Sequence, residues 1–195
     1  MTRQAWTLLA FAPSLLGGVV AAVWWSLAPP TLTPRMPLLP SLALGAATGL
    51  ALLAAAAGLE RVLPSFRWAS RVMERALARL APSRPMAASL ALATSLGEEL
   101  LFRGMLLAHL GLVVQAVLFG ALHPLGRRGW SYPVFAALAG LAFGALVLAT
   151  GRLLPAIVAH LIVNATGLLL GRGGRRRPPR RRVSPGASPP AAPPP

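Results

Sequence analysis

The stretch Met86–His123, MAASLALATSLGEELLFRGMLLAHLGLVVQAVLFGALH, decides how this chain folds. It is almost wholly apolar. As a single helix rising 1.5 Å per residue it would be about 57 Å long, nearly twice the ~30 Å hydrocarbon core of a bilayer. The stretch must therefore fold back once, and His109-Leu110-Gly111 is the expected turn. Inside it stand Glu98 and Glu99, two of only four acidic residues in 195. A carboxylate at the centre of a membrane helix costs roughly 2.5–3.5 kcal/mol. A chain nearly free of acids that pairs two of them in such a place uses them for chemistry. Arg103 follows four residues after Glu99, and His123, His160 and Asn164 stand in similarly apolar surroundings.

The rest of the sequence has the same character. It is 55% hydrophobic with 12% charged residues, the composition of a polytopic membrane protein rather than of a soluble domain. Apolar stretches long enough to span recur at Ala5–Ala28, Pro37–Leu59, Tyr132–Thr150 and Leu153–Gly171. Ala5–Ala28 is too long for the apolar region of a signal peptide and carries Pro13, so it reads as a retained first span. With the folded-back Met86–His123 this makes an all-α protein of about six transmembrane helices. Gly140 and Gly144 have the spacing of close helix packing. Trp6, Trp24, Trp25, Trp68 and Trp130 read as interfacial anchors.

The net charge of +15 comes from 19 arginines and no lysine. Nucleic acid is one partner such a balance allows, but the arginines fall between the apolar blocks, which topology explains better. Arg67, Arg71, Arg75 and Arg79 recur every fourth residue and share a helical face, with Ala69, Val72, Met73, Ala76 and Leu80 on the other. That is an amphipathic helix lying at the interface. The tail Arg172–Pro195 is rich in arginine and proline and has almost nothing to bury, so it is expected to be disordered. Both arginine-rich segments fit anionic lipid head groups. With both termini in the cytosol, sixteen arginines lie on the inner side and only Arg35 and Arg152 outside, as the positive-inside rule requires. The expected setting is a prokaryotic plasma membrane. Three regions follow: residues 1–85, with two spans and the interfacial helix; residues 86–171, a core of four helices; and residues 172–195, the tail. The chain has no cysteine, which excludes disulfides, thiolate catalysis and cysteine-ligated metal.

Three pairs share one spacing: Glu99 with Arg103, Phe119 with His123, and His160 with Asn164. Residues four apart lie on one face of a helix. Glu98 and His123 are each twelve residues from the expected turn, so an antiparallel hairpin returns them to one depth. His160 and Asn164 fall near the middle of the last span. A carboxylate beside an imidazole can activate water, and a second histidine with an asparagine amide can stabilise an oxyanion. His109 belongs to no such pair and reads as structural.

Glu98-Glu99-Leu100-Leu101-Phe102-Arg103 resembles the E-E-x-x-x-R signature of the CPBP family, the CAAX-processing and bacteriocin-processing intramembrane proteases also called Abi. Phe119–His123 (FGALH) and His160–Asn164 (HLIVN) resemble its F-x-x-x-H and H-x-x-x-N motifs. The likeness covers about Met86–Gly171, with all three motifs in order on separate spans. It implies an intramembrane endopeptidase acting on a membrane-associated protein or peptide. Glu98 would be the general base, with His123 as its partner. His160 and Asn164 would orient water or stabilise the oxyanion, Glu99 and Arg103 would form a structural ion pair, and Phe119 would pack beside the site. The family has been described both with and without a metal. Metal-free water activation is the preferred reading, with zinc on Glu98, His123 and His160 as the alternative. Two other functions compete: a non-proteolytic immunity or partner-binding scaffold, and a small transporter. No internal repeat supports the transporter.

Overall fold

A computed structural model describes residues 3–29 and 31–170; the expected disordered tail lies outside the described residues. The described chain is helical without strands. It comprises α1 (Arg3–Leu27), α2 (Leu38–Val62), α3 (Pro64–Leu80), α4 (Arg84–Glu99), a π-helical stretch (Leu100–Leu106), α5 (Leu107–Ala121), a short 3₁₀ turn (Arg127–Gly129), α6 (Ser131–Thr150) and α7 (Leu154–Leu170). Leu38–Val62, Arg84–Ala121 and Ser131–Thr150 are long and apolar enough to cross a membrane, and Phe11–Leu27 and Leu154–Leu169 are shorter apolar helices. Large apolar side chains such as Leu16, Leu39, Val113, Leu122 and Leu138 face outward, which suits a protein whose exterior meets lipid rather than water.

The fold-back occurs at the expected place. Gly111 breaks the helix at φ 75° and ψ 174°, a backbone region open to glycine and strained for residues with a Cβ. As a result the rings of Phe102 and Phe119 meet at 4.9 Å. Along one straight helix those residues would be about 25 Å apart. Arg84–Ala121 thus supplies two passes, the second of them short.

Small residues set how closely the helices approach. A Cβ added to Gly97 on α4 would lie 2.9 Å from the Gly18 Cα on α1. One on Gly45 or Gly49 of α2 would strike the Pro155 or Ala159 carbonyl of α7. Gly140 of α6 meets Ala116 of α5, so half of the Gly140/Gly144 spacing acts between these two helices. Gly144 faces the Gln115 and Leu112 side chains of α5 instead.

The two ends of the bundle are distinct. At one end the Arg35 amide donates to Thr150 O at 2.9 Å, and Arg152 Nε donates to Met36 O at 3.1 Å. At the other, Ser65 Oγ bonds Ser131 Oγ at 2.8 Å and Gly129 packs on Trp68. Among the described residues, Arg35 and Arg152 therefore lie at the end opposite the start of α3 and the Arg127–Gly129 turn. The expected arginine face of α3 needs two corrections. Arg67 is drawn inward, where Nε donates to Glu60 O at 2.9 Å and Nη2 to Arg61 O. It thereby satisfies carbonyls at the open end of α2, leaving Arg71, Arg75 and Arg79 exposed. Ala76, expected on the apolar face, is exposed, and Leu77 packs inward in its place.

Candidate active site

Glu98 and Glu99 end α4, and the next turn is widened. The Leu107 amide bonds Phe102 O, five residues back instead of four. Such π-type turns recur at functional sites because they re-aim side chains without ending the helix. The sequence gives no sign of this widening, since the E-E-x-x-x-R spacing reads equally well on a regular helix. Arg103 lies within the widened turn, and its long side chain still closes the i,i+4 pair: Nη1 reaches Glu99 Oε1 at 2.8 Å, both side chains being fully buried. Its Nη2 donates to Gly140 O at 3.2 Å. The guanidinium carbon lies 4.4 Å from the Phe119 ring centre and 5.1 Å from that of Phe143. Aromatic faces stabilise a desolvated cation, and Phe102 adds a third ring at 5.6 Å, so this charge is held by an acid, a carbonyl and three rings.

The expected ion pair is present, but Glu99 does more than balance Arg103. The same Oε1 accepts from His160 Nδ1 at 2.7 Å. Nδ1 therefore carries a hydrogen, because a carboxylate already paired with arginine can only accept. His160 Nε2 lies 3.8 Å from Glu98 Oε2. Phe143 stacks on the imidazole with ring centres 5.1 Å apart, and Phe119 meets it edge-on.

His123 follows α5, and its ring packs on Phe119 with centres 4.6 Å apart. Its Nδ1 lies 2.6 Å from Phe119 O. A carbonyl cannot donate, so Nδ1 carries a hydrogen, and Nε2 lies 3.9 Å from Glu98 Oε2. One carboxylate oxygen thus stands near two imidazole nitrogens. Both gaps exceed a direct hydrogen bond but suit a shared water.

Asn164 lies on the same pocket wall as His123 and His160, but its amide is engaged elsewhere. Nδ2 donates to Thr94 Oγ1 at 3.2 Å and to Ser95 Oγ at 3.1 Å. It ties α7 to the turn of α4 just before Glu98, which differs from the expected water or oxyanion contact. Thr94 and Ser95 are buried. No motif marked either residue, although their positions three and four residues before Glu98 place them on its helical face.

The pocket beside Glu98 is about 50 Å³ and is lined by Leu52, Phe119, Tyr132, Phe143, Val163 and the two histidines, among others. That is room for a few waters and far too little for a peptide. A larger cavity of about 470 Å³ lies near the Arg35 end, beside Trp24 and His109. It contains no carboxylate and offers no acid–base pair. His109 meets Trp24 edge-on with ring centres 6.0 Å apart, a packing role.

A zinc ion on Glu98, His123 and His160 would need its donors about 3.4 Å from one another, given tetrahedral bonds near 2.1 Å. The separations from Glu98 Oε2 are 3.8 and 3.9 Å. Among the described residues no three His, Asp or Glu side chains converge into a metal site.

Residues 81–166 match the family model described as type II CAAX prenyl endopeptidase Rce1-like. The match is consistent with a CPBP family protease, as the three motifs implied, and it contains Glu98, Glu99, Arg103, Phe119, His123, His160 and Asn164. It supports an intramembrane endopeptidase in general, and with the apolar helices an integral membrane protein. No curated protein and no solved structure matches the chain.

Proposed function

We propose that this protein hydrolyses a peptide bond within the membrane by metal-free activation of water at Glu98. The observation that carries this reading is the convergence of Glu98 Oε2 with two imidazole Nε2 atoms at 3.8 and 3.9 Å. A water in that space donates one hydrogen to Glu98 and the other to a histidine, leaving an oxygen lone pair for the substrate carbonyl. Glu98 takes the proton as the bond forms and returns it to the departing amine. Glu99 keeps the His160 Nε2 lone pair turned toward the water. The Phe119 carbonyl does the same for His123.

The substrate class that fits is a membrane-associated protein or peptide, and the matched family's description makes a prenylated one the first to test. The exposed arginines of α3 suit anionic head groups, which would keep this end of the bundle at a cytosolic leaflet. The reading is tested by expressing Glu98→Gln in native membranes, isolating the protein with whatever it retains, and identifying peptides it holds uncut. A variant that complements loss of the wild-type protein overturns the reading.

A further inference from the structure

The pocket beside Glu98 has four polar lining residues, His123, Tyr132, His160 and Asn164, and its other walls are apolar. Each polar residue brings a limited set of hydrogen-bond donors. The Nδ1–H of His123 is held by Phe119 O and that of His160 by Glu99 Oε1. Both hydrogens of the Asn164 amide point to Thr94 and Ser95. The backbone amides of Leu122 and His123 are bonded to Leu118 O and Gly120 O. The hydroxyl of Tyr132, the single tyrosine of the chain, lines the same pocket and makes no hydrogen bond among the described residues, so it is an uncommitted donor. Addition of water to a peptide carbonyl creates an oxyanion, which needs a donor.

We propose that Tyr132 is a catalytic residue whose phenolic hydrogen binds this oxyanion, an inference that rests on the hydrolytic reading above. As the water O–H bond breaks, its proton passes to Glu98 and the C–O bond forms. The carbonyl π pair moves onto oxygen, which accepts the hydrogen bond without removing the tyrosine proton. When the pair returns, the C–N bond breaks and the amine takes the proton from Glu98. The ring is placed for this by Phe66, 6.2 Å from it between centres, and by His123 at 6.3 Å. Tyr132 belongs to the first turn of α6, so the helix fixes its backbone as well.

The test is Tyr132→Phe in the full chain, which keeps the ring packing and removes only the donor. The probe is a pool of synthetic peptides, farnesylated and unmodified, ending in CAAX-type tetrapeptides, with cleavage followed by mass spectrometry. On the fastest-cleaved peptide kcat should fall about 10²–10³-fold, the usual effect of losing one oxyanion donor, with KM and thermal midpoint unchanged. A phosphonamidate analogue of that peptide should lose affinity by a similar factor. Binding of the intact peptide to the Glu98→Gln/Tyr132→Phe double variant should match Glu98→Gln alone. Wild-type kcat in Tyr132→Phe, or a loss matched by a fall in thermal midpoint, overturns the inference while leaving the hydrolytic reading intact. A wild-type protein that cleaves no peptide in the pool overturns both.

Discussion

Glu99 Oε1 holds His160 Nδ1 at 2.7 Å and Arg103 Nη1 at 2.8 Å, so one buried oxygen sets both the charge balance of the helix and the aim of an imidazole on α7. Removing one partner of a buried pair leaves the other charge uncompensated and typically costs about 3–5 kcal/mol. Arg103→Ala should therefore lower the thermal midpoint in detergent and the yield of folded protein, along with activity. An Arg103→Ala variant of wild-type stability would contradict a structural role for the pair.

Asn164 separates two roles. If its amide chiefly ties α7 to α4, Asn164→Ala loses two neutral hydrogen bonds, about 1–2 kcal/mol in total at usual net values. Ser95→Ala should then reproduce part of both the stability and the activity loss. A direct contact with substrate predicts the reverse: kcat falls in Asn164→Ala at unchanged stability, and Ser95→Ala is silent. Unfolding and turnover measured on the two variants decide between them.

The contact of α1 with α4 is a backbone approach at Gly18 and Gly97. Gly97→Ala places a Cβ 2.9 Å from Gly18 Cα and 3.1 Å from Ser14 O. Overpacking of this kind costs typically about 1–3 kcal/mol, and here it displaces the residue next to Glu98. Activity should fall with stability. Gly58→Ala, where an added Cβ meets nothing within 4 Å, should be neutral or slightly stabilising. Equal thermal midpoints for the two variants would show that α1 does not pack on α4 this closely.

Much of this architecture is legible in the residues. Gly111 could be expected to reverse the chain because 38 residues are too many for one crossing, and the equal distances of Glu98 and His123 from it predicted that they meet. The arginine distribution anticipated which segments share an end. Three features could not be read this way. The π-turn after Glu99 carries no residue-type signature, since the E-E-x-x-x-R spacing suits a regular helix equally well. The bond from Glu99 to His160 joins positions 61 apart, which no helical spacing encodes. Tyr132 lies outside every motif; its scarcity in the chain was the available signal, and it fell at the start of an ordinary span.

Topology gives an independent check. A cysteine placed at Arg127 should react with a membrane-impermeant maleimide from the cytosolic side, and one placed at Arg35 from the opposite side, in a chain that has no cysteine of its own. Labelling of both from one side would overturn the six-pass arrangement.

The central claim is that the Glu98 carboxylate takes the proton of the attacking water. The most direct measurement is single-turnover cleavage by purified Glu98→Gln of a peptide the wild-type protein cuts, with thermal midpoint and peptide binding measured on the same sample and a chelator-treated wild-type sample alongside. The account predicts normal folding and binding, a rate lower by about 10²–10⁴-fold, and full activity in the chelated wild type. Cleavage by Glu98→Gln at the wild-type rate would contradict it.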